Sequence, residues 1–600
     1  MKTTQRTGVL ARAAAVAALT SVTGLALASA DPASIAVIEI EGTPAARSSG
    51  MAWLGDADRT LRDYVETFDT LAYDDEFAGV MVRLKDAALS MTQVEELGAA
   101  LDRVRDEGKK VHVFAEGYGP GEIMLGAHAD EVIVQSGGMV SLPGLHMEEM
   151  FLADTLSWVG VKAQLVQVGD YKGANEQMTR SEPSPAWNEN IDGLLDSLYA
   201  NQRSIIKSGR HMDDAELDDA MKLAWWADAD EGIEAGLIDA AVDLPMLPKH
   251  LEGVYGTKIK WVKDPYTVDH AVDMSNPFVA ISKIFSADNA IHVDSPSIAV
   301  LHIDGTIVDG DSSSGGMFGG GEMVGSRTIR NAIEDILKED LIKGVVVRID
   351  SPGGSAIASE VMWQGLDRLK TEKPVWVSVG SMAASGGYYV LSAGQKVYVN
   401  PSSIVGSIGV VGGKYAMGGL YDKLKVNIVE RSRGPAASLN SSVTPWTDAE
   451  QALVRLKMSQ TYDLFTQRVT AGRQGIDLSK TAEGRLFTGN KAIGMHMADE
   501  LGGLDDAITD LALDLDMDDY DVVEYPAPPS FEEMIERMLG GFVKAPSVAQ
   551  SAAAANPLAA TLEGVLGTDR FNAIRDSLNA MALLRDEPVL LTSPRAIIVK

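Results

Sequence analysis

A chain of 600 residues, 46% hydrophobic and 23% charged, is too long for one hydrophobic core and has the make-up of a globular protein of two to four domains. Its formal net charge of −33, with a pI near 4.6, argues against nucleic-acid phosphates and anionic lipid surfaces as partners. Without a single cysteine, it excludes disulfides, thiolate metal sites and cysteine nucleophiles.

At the N-terminus, Lys2, Arg6 and Arg12 precede an apolar run from Ala13 to Leu27, which ends at Ala28-Ser29-Ala30 before Asp31-Pro32. The run is short against the ~20 residues of a spanning helix. Basic flank, short apolar core and an A-x-A site read as a cleaved export signal in preference to an uncleaved anchor. The expected location is the periplasm, with attachment to the inner membrane as the alternative.

From residue 31 the chain repeats itself. Ser34 to Thr43 matches Ser297 to Thr306, Gly79 to Leu84 matches Gly344 to Ile349, and Glu131 to Val134 matches Lys396 to Val399, with the offset held at 263 to 265. One offset across three separated segments means a tandem duplication. Each matched segment is a short Val/Ile-rich run, and helix-like stretches such as Thr92 to Glu107 and Ala356 to Glu372 lie between them. The predicted fold is α/β, two tandem repeats rich in βαβ units with mainly parallel sheets. The expected layout is a signal over 1–30, a first repeat over 31–275, a connector over 276–295, a second repeat over 296–530, and a linker and tail over 531–600. Within the tail, 545–560 reads as linker, and a short helix plus strand follows. Ser312 to Gly321, rich in Gly and Ser, reads as a mobile loop; no helix opens where a dinucleotide fingerprint needs one.

Two glycine-rich turns fall at predicted strand ends, where sites of parallel sheets lie. The first is Asp350-Ser351-Pro352-Gly353-Gly354. Its counterpart, Asp86-Ala87-Ala88-Leu89, has no glycine. The second is Met382-Ala383-Ala384-Ser385-Gly386-Gly387-Tyr388-Tyr389, whose counterpart carries Pro120-Gly121 where Ser385 stands. A serine at a strand-to-helix turn presents its hydroxyl at the sheet edge, and the N–H groups after it favour developing negative charge. Nucleophile plus oxyanion hole is the arrangement that acyl transfer needs.

Such a serine needs a base. None of the nine histidines, at 112, 128, 146, 211, 250, 270, 292, 302 and 496, lies in a motif, and each reads as structural. Lysine is the main alternative. With an ordinary pKa of about 10.4, roughly one lysine in a few thousand is neutral at pH 7, so a lysine base must be buried. The residues alone do not rank the lysines.

The Arg348 to Gly354 segment, the Met382 to Tyr388 segment and Gly406-Ser407-Ile408-Gly409 together resemble the protease IV (S49) family of serine peptidases, the signal peptide peptidase A family, in its long duplicated form with ClpP/crotonase-like domains. The resemblance spans about 31 to 530. It implies Ser385 as nucleophile and Lys172, in Val168-Gly169-Asp170-Tyr171-Lys172, as general base. The matching region of the second copy, Arg433 to Ala437, has no lysine. It further implies Ser407 as the residue that orients the lysine, and backbone N–H groups of Gly353 or Gly354 and of Gly386 as the oxyanion hole. Neither metal nor other cofactor is implied. The implied substrates are cleaved signal peptides and other apolar extended peptides, and the implied assembly is a homo-oligomer, a tetramer, with no nucleic-acid partner. Long members commonly keep an N-terminal anchor, from which Ala28-Ser29-Ala30 departs. Asp350 replaces a more familiar asparagine, at a strand end away from the implied chemistry. The rival readings are a crotonase-like acyl-CoA enzyme and an inactive scaffold that binds apolar peptides.

Overall fold

The computed structural model describes residues 31–47, 59–266, 291–313, 322–527, 589–592 and 597–599. The export segment, 276–290 of the connector, 314–321 of the Gly/Ser-rich loop, and the linker and helix expected after 544 lie outside them.

The first copy alternates strand and helix: β1 (Ala33–Glu41), α1 (Leu61–Tyr73), β2 (Gly79–Lys85), α2 (Met91–Asp106), β3 (Lys110–Ala115), α3 (Pro120–Gly126) and β4 (Glu131–Val134). Beyond these come β5 (Lys162–Val168), α4 (Pro185–Arg210), β6 (Ala240–Ala241) and β7 (Ile259–Lys263). One parallel sheet runs β7-β1-β2-β3-β4-β6.

The second copy contains β8 (Ser297–Asp304), β9 (Thr306–Val308), β10 (Met323–Gly325), β11 (Ile342–Ser351), β12 (Gly353–Ser355), α5 (Ala356–Leu369), β13 (Val375–Ala384), α6 (Gly386–Leu391), β14 (Lys396–Val399), β15 (Ile404–Gly406), β16 (Val410–Ala416), β17 (Leu486–Thr488), β18 (Glu500–Leu501) and β19 (Asp521–Tyr525). Its parallel path β19-β8-β11-β13-β14-β18 repeats the first sheet strand for strand. Both faces of β11 are covered, which is why Val345 to Ile349 reads as a nearly continuous apolar run. The long strand β13 pairs with β14 over Trp376 to Val379 and then with β15 over Met382 to Ala384. That switch of neighbour carries the chain out to Ser385.

A third sheet joins the copies. Its order is β10-β9-β12-β20-β16-β5, where β20 (Val589–Thr592) comes from the C-terminal tail and β5 from the first copy. Antiparallel pairing of β5 with β16 runs from Val168 opposite Val410 to Lys162 opposite Ala416. This ladder delivers the segment after β5 to the strand ends of the second copy.

Helix α2 locks the two copies together. Ser90 caps it reciprocally with Gln93. Val94, Leu97, Leu101 and Val104, one stripe at helical spacing, are buried in the first core. From the same helix, Glu96 accepts hydrogen bonds from Arg348 (2.6 Å) and from the Asn400 amide (2.8 Å) of the second copy. Glu96 and Arg348 are both buried, and truncating one partner of such a pair costs about 3–5 kcal/mol because the other charge is left uncompensated. Glu96→Ala is therefore expected to lower unfolding stability by about that amount, read from the denaturation midpoint at constant slope. A change under about 1 kcal/mol would show that the pair does not hold the copies together.

Candidate active site

The nucleophile candidate sits at a strained turn. Ser385 caps α6 with φ 55° and ψ −111°, the geometry of the first central residue of a type II′ turn, which glycine favours. Its N–H donates to the Gly406 carbonyl at 2.8 Å, and its own carbonyl accepts from the Tyr389 N–H at 2.8 Å. Both bonds hold the turn, so the hydroxyl is aimed by backbone. Ser407 is also in the left-handed region, at φ 52°, and its N–H donates to the Arg485 carbonyl at 2.6 Å. Two non-glycine residues at positive φ side by side mark a place where the fold maintains local strain.

Lys172 follows β5 and reaches across the seam between the copies. Its Nζ lies 2.6 Å from Ser385 Oγ, 2.8 Å from the Ser407 carbonyl oxygen and 2.8 Å from Ser407 Oγ. The three side chains are 1%, 0% and 1% exposed for Lys172, Ser385 and Ser407. Burial holds the Lys172 pKa well below the ordinary lysine value, with no carboxylate acting against it. A neutral amine has two N–H groups and one lone pair. The Ser407 carbonyl and hydroxyl take the two N–H groups, and the lone pair faces Ser385, whose O–H donates to it. The geometry therefore suits the unprotonated lysine.

Close packing fixes that amine. A Cβ on Gly409 would stand 3.1 Å from Lys172 Cδ, and one on Gly484 would stand 2.5 Å from Lys172 Cα. The second glycine of Gly-Ser-Ile-Gly thus leaves room for the lysine stem. Trp187, from α4, covers Gly173 so closely that a side chain there would meet its indole, and its Nε1–H donates to Glu149 at 2.6 Å.

The two glycine-rich turns meet as expected. The Gly386 nitrogen lies 2.6 Å from where a Cβ on Gly353 would stand, and the Gly354 nitrogen 3.1 Å from where one on Gly386 would stand. The Gly353 N–H donates to Ser351 Oγ at 3.1 Å, and that hydroxyl donates to the Gly305 carbonyl at 2.6 Å. Ser351, absent from the sequence-based set, thereby fixes the turn. Its only sequence signal is its place between the β11 strand end and the glycines.

Two expectations are refined. The residue that caps the helix after β3 is Gly119, so the first copy has glycine in the place of Ser385, one residue ahead of Pro120. Asp350 is nearer the chemistry than a strand-end position suggests. Its carboxylate accepts from the Ser381 and Met382 N–H groups, both at 3.1 Å, on the stretch of β13 that leads to Ser385. Burial pushes its pKa up to about 6. The histidines with ring hydrogen bonds, His112, His128 and His250, pair with Glu131, Tyr255 and Asp102 of the first copy, as structural residues do. Among the described residues no cluster of side chains could hold a metal ion, and no helix is long and apolar enough to cross a membrane.

Two tandem α/β domains with parallel sheets, joined by a shared third sheet at which a buried lysine meets a serine, define a duplicated ClpP-like architecture. The model of peptidase family S49 matches residues 103–252 and 367–518, once in each copy and over half of the chain; the chain belongs to that family. It is 28% identical over 423 residues to Protease 4 of Haemophilus influenzae, covering 69% of this chain and 66% of that protein. It is 26% identical over 499 residues to Protease 4 of Salmonella typhi, covering 81% and 77%. The chloroplastic serine protease SPPA of Arabidopsis thaliana matches at 28% over 456 residues, covering 75% and 65%. The matches thus span about two thirds to three quarters of these relatives' lengths.

Proposed function

We propose that the protein is a serine endopeptidase in which Ser385 is the nucleophile and Lys172 the general base. The observation that carries this is the 2.6 Å contact between Lys172 Nζ and Ser385 Oγ, made by a lysine that burial disposes to be neutral. Both groups come from one chain, one from each copy.

Lys172 takes the Ser385 proton as Oγ attacks the carbonyl carbon of a peptide. The carbonyl oxygen becomes an oxyanion against the N–H groups of Gly386 and of the Gly353-Gly354 turn, with the α6 N-terminus behind them. The lysine ammonium gives its proton to the departing amine as the C–N bond breaks. Water, losing a proton to the same lysine, then attacks the acyl-enzyme, and the acid product and Ser385 are released. Ser407 orients Nζ throughout. Substrates in this reading are apolar extended peptides such as cleaved signal peptides, the compartment is the periplasm, and the assembly is a homo-oligomer. The protease names of the relatives support the reaction class.

The test is the pH dependence of peptide cleavage by the 31–600 chain, with a fluorophosphonate probe as a second readout. A base must be deprotonated, so kcat/KM is expected to rise with pH through the Lys172 pKa, with the midpoint below the ordinary value of about 10.4. The probe should label the parent on Ser385. A flat profile from pH 5 to 9 together with no labelling would exclude the dyad.

A further inference from the structure

The C-terminal strand β20 occupies the one place in the third sheet that borders Ser385. On one side it pairs antiparallel with β12, the glycines of the Ser-Pro-Gly-Gly turn: Gly353 opposite Thr592, Gly354 opposite Leu591, Ser355 opposite Leu590. On the other it pairs antiparallel with β16, just after Gly-Ser-Ile-Gly: Val411 opposite Leu590, Gly412 opposite Val589. Its middle carbonyl sits on the oxyanion turns. Leu591 O lies 2.1 Å from where a Cβ on Gly353 would stand and 3.1 Å from where one on Gly386 would stand. Glycine at 353, at φ 96°, is what lets a peptide carbonyl come so close.

In this state the catalytic hydroxyl is wholly covered. A covered serine cannot meet a peptide, so an element must yield. β12 continues from β11, and β16 is tied to β5 along a ladder from Val410 to Ala416 that positions Lys172. β20 is four residues long and carries none of the reacting groups. It is the strand that can leave while the site stays intact. What it vacates is a slot with unpaired backbone on both sides, which a peptide of any sequence can fill by strand addition, while pockets for alternate side chains select it.

We propose that the gap between β12 and β16 is the substrate cleft, that a peptide lies in it as an antiparallel strand, and that Val589–Thr592 is the chain's own occupant of it. This rests on the Ser385/Lys172 reading and adds to it how substrate binds and what competes with it. Leu591, 0% exposed and packed into the second copy's core beside partly buried Val589, stands in the primary side-chain position. The cleft therefore prefers an apolar residue there and at the position two residues before it.

The absence of native cysteine allows a clean test. Val411 and Leu590 are directly opposed, and opposed residues of antiparallel strands are about 4.5–5.5 Å apart at Cα, within disulfide range. In the full chain carrying Val411→Cys and Leu590→Cys, bridge formation is confirmed by mass. Fluorophosphonate labelling of Ser385 and cleavage of an apolar fluorogenic peptide are then followed with and without reductant. The oxidised form should react at least about tenfold more slowly than the reduced form, and the reduced form should match the parent within about twofold. Leu591→Asp, which weakens the occupant without a bridge, should lower KM for the peptide several-fold at unchanged kcat. Equal rates for the oxidised and reduced forms, or an unchanged KM in Leu591→Asp, overturn the cleft assignment while leaving the dyad standing. If no form reacts at all, the dyad falls and this assignment falls with it.

Discussion

Lys172→Met is expected to abolish cleavage and, at neutral pH, to make the protein more stable. Activity should drop by about 10²–10⁴-fold or more, because Ser385 loses the group that takes its proton. The stability gain follows from linkage. Burial lowers the folded-state pKa of Lys172, while the unfolded chain has the ordinary value of about 10.4. Between those two values the unfolded state binds the extra proton, so the parent's stability rises with pH by about 1.4 kcal/mol per unit and the lysine's penalty is full below the folded-state pKa. Methionine fills a similar volume and has no proton to lose. Against this, the Ser407 carbonyl and hydroxyl lose a donor, at about 1–3 kcal/mol for a buried group left unmatched. At neutral pH the first effect exceeds the second. The variant's advantage should therefore shrink as pH is raised toward 10, and it should reverse where the lysine penalty has vanished. Thermal melts of both proteins from pH 6 to 10 measure it. A stability difference that does not vary with pH would mean that Lys172 is charged in the folded protein and is not the base.

The features legible in the sequence and those that were not divide along a physical line. The parallel strands were legible because a strand covered on both faces must be apolar throughout, as Val345 to Ile349 is, and because the offset between copies is carried by such strands. Ser385 was legible because a serine followed by paired glycines at a strand end has few structural explanations. The third sheet was not. It pairs Lys162–Val168 with Val410–Ala416, and register between strands so far apart leaves no period in the sequence. For the same reason Lys172 could be named only through the family resemblance. Its burial and its partner are properties of the seam, and its own segment looks like any loop after a strand. The left-handed backbone at Ser407 and the support that Asp350 gives to β13 are likewise tertiary, since each depends on a turn made by residues distant in sequence.

The backbone at Ser385 gives the second large effect a diagnostic companion. Ser385→Ala should lose cleavage by about three orders of magnitude or more and lose all labelling by a serine-directed probe, because no covalent intermediate can form. Ser385→Gly should be equally inactive. The two should differ in stability. At φ 55° and ψ −111° alanine keeps the strain of a conformation that only glycine adopts readily, which costs on the order of 1–3 kcal/mol. Glycine relieves it, at an unfolded-state entropy cost of about 0.4–1 kcal/mol. The glycine variant should therefore be the more stable of the two by about 1 kcal/mol, measurable by urea denaturation of both. Greater stability of the alanine variant would mean that the turn is relaxed around Ser385 and that its hydroxyl is not held in place by a strained backbone. With the predicted sign, the Gly406 and Tyr389 hydrogen bonds that hold the turn maintain the strain, and the orientation of the nucleophile toward Lys172 is set before any substrate arrives.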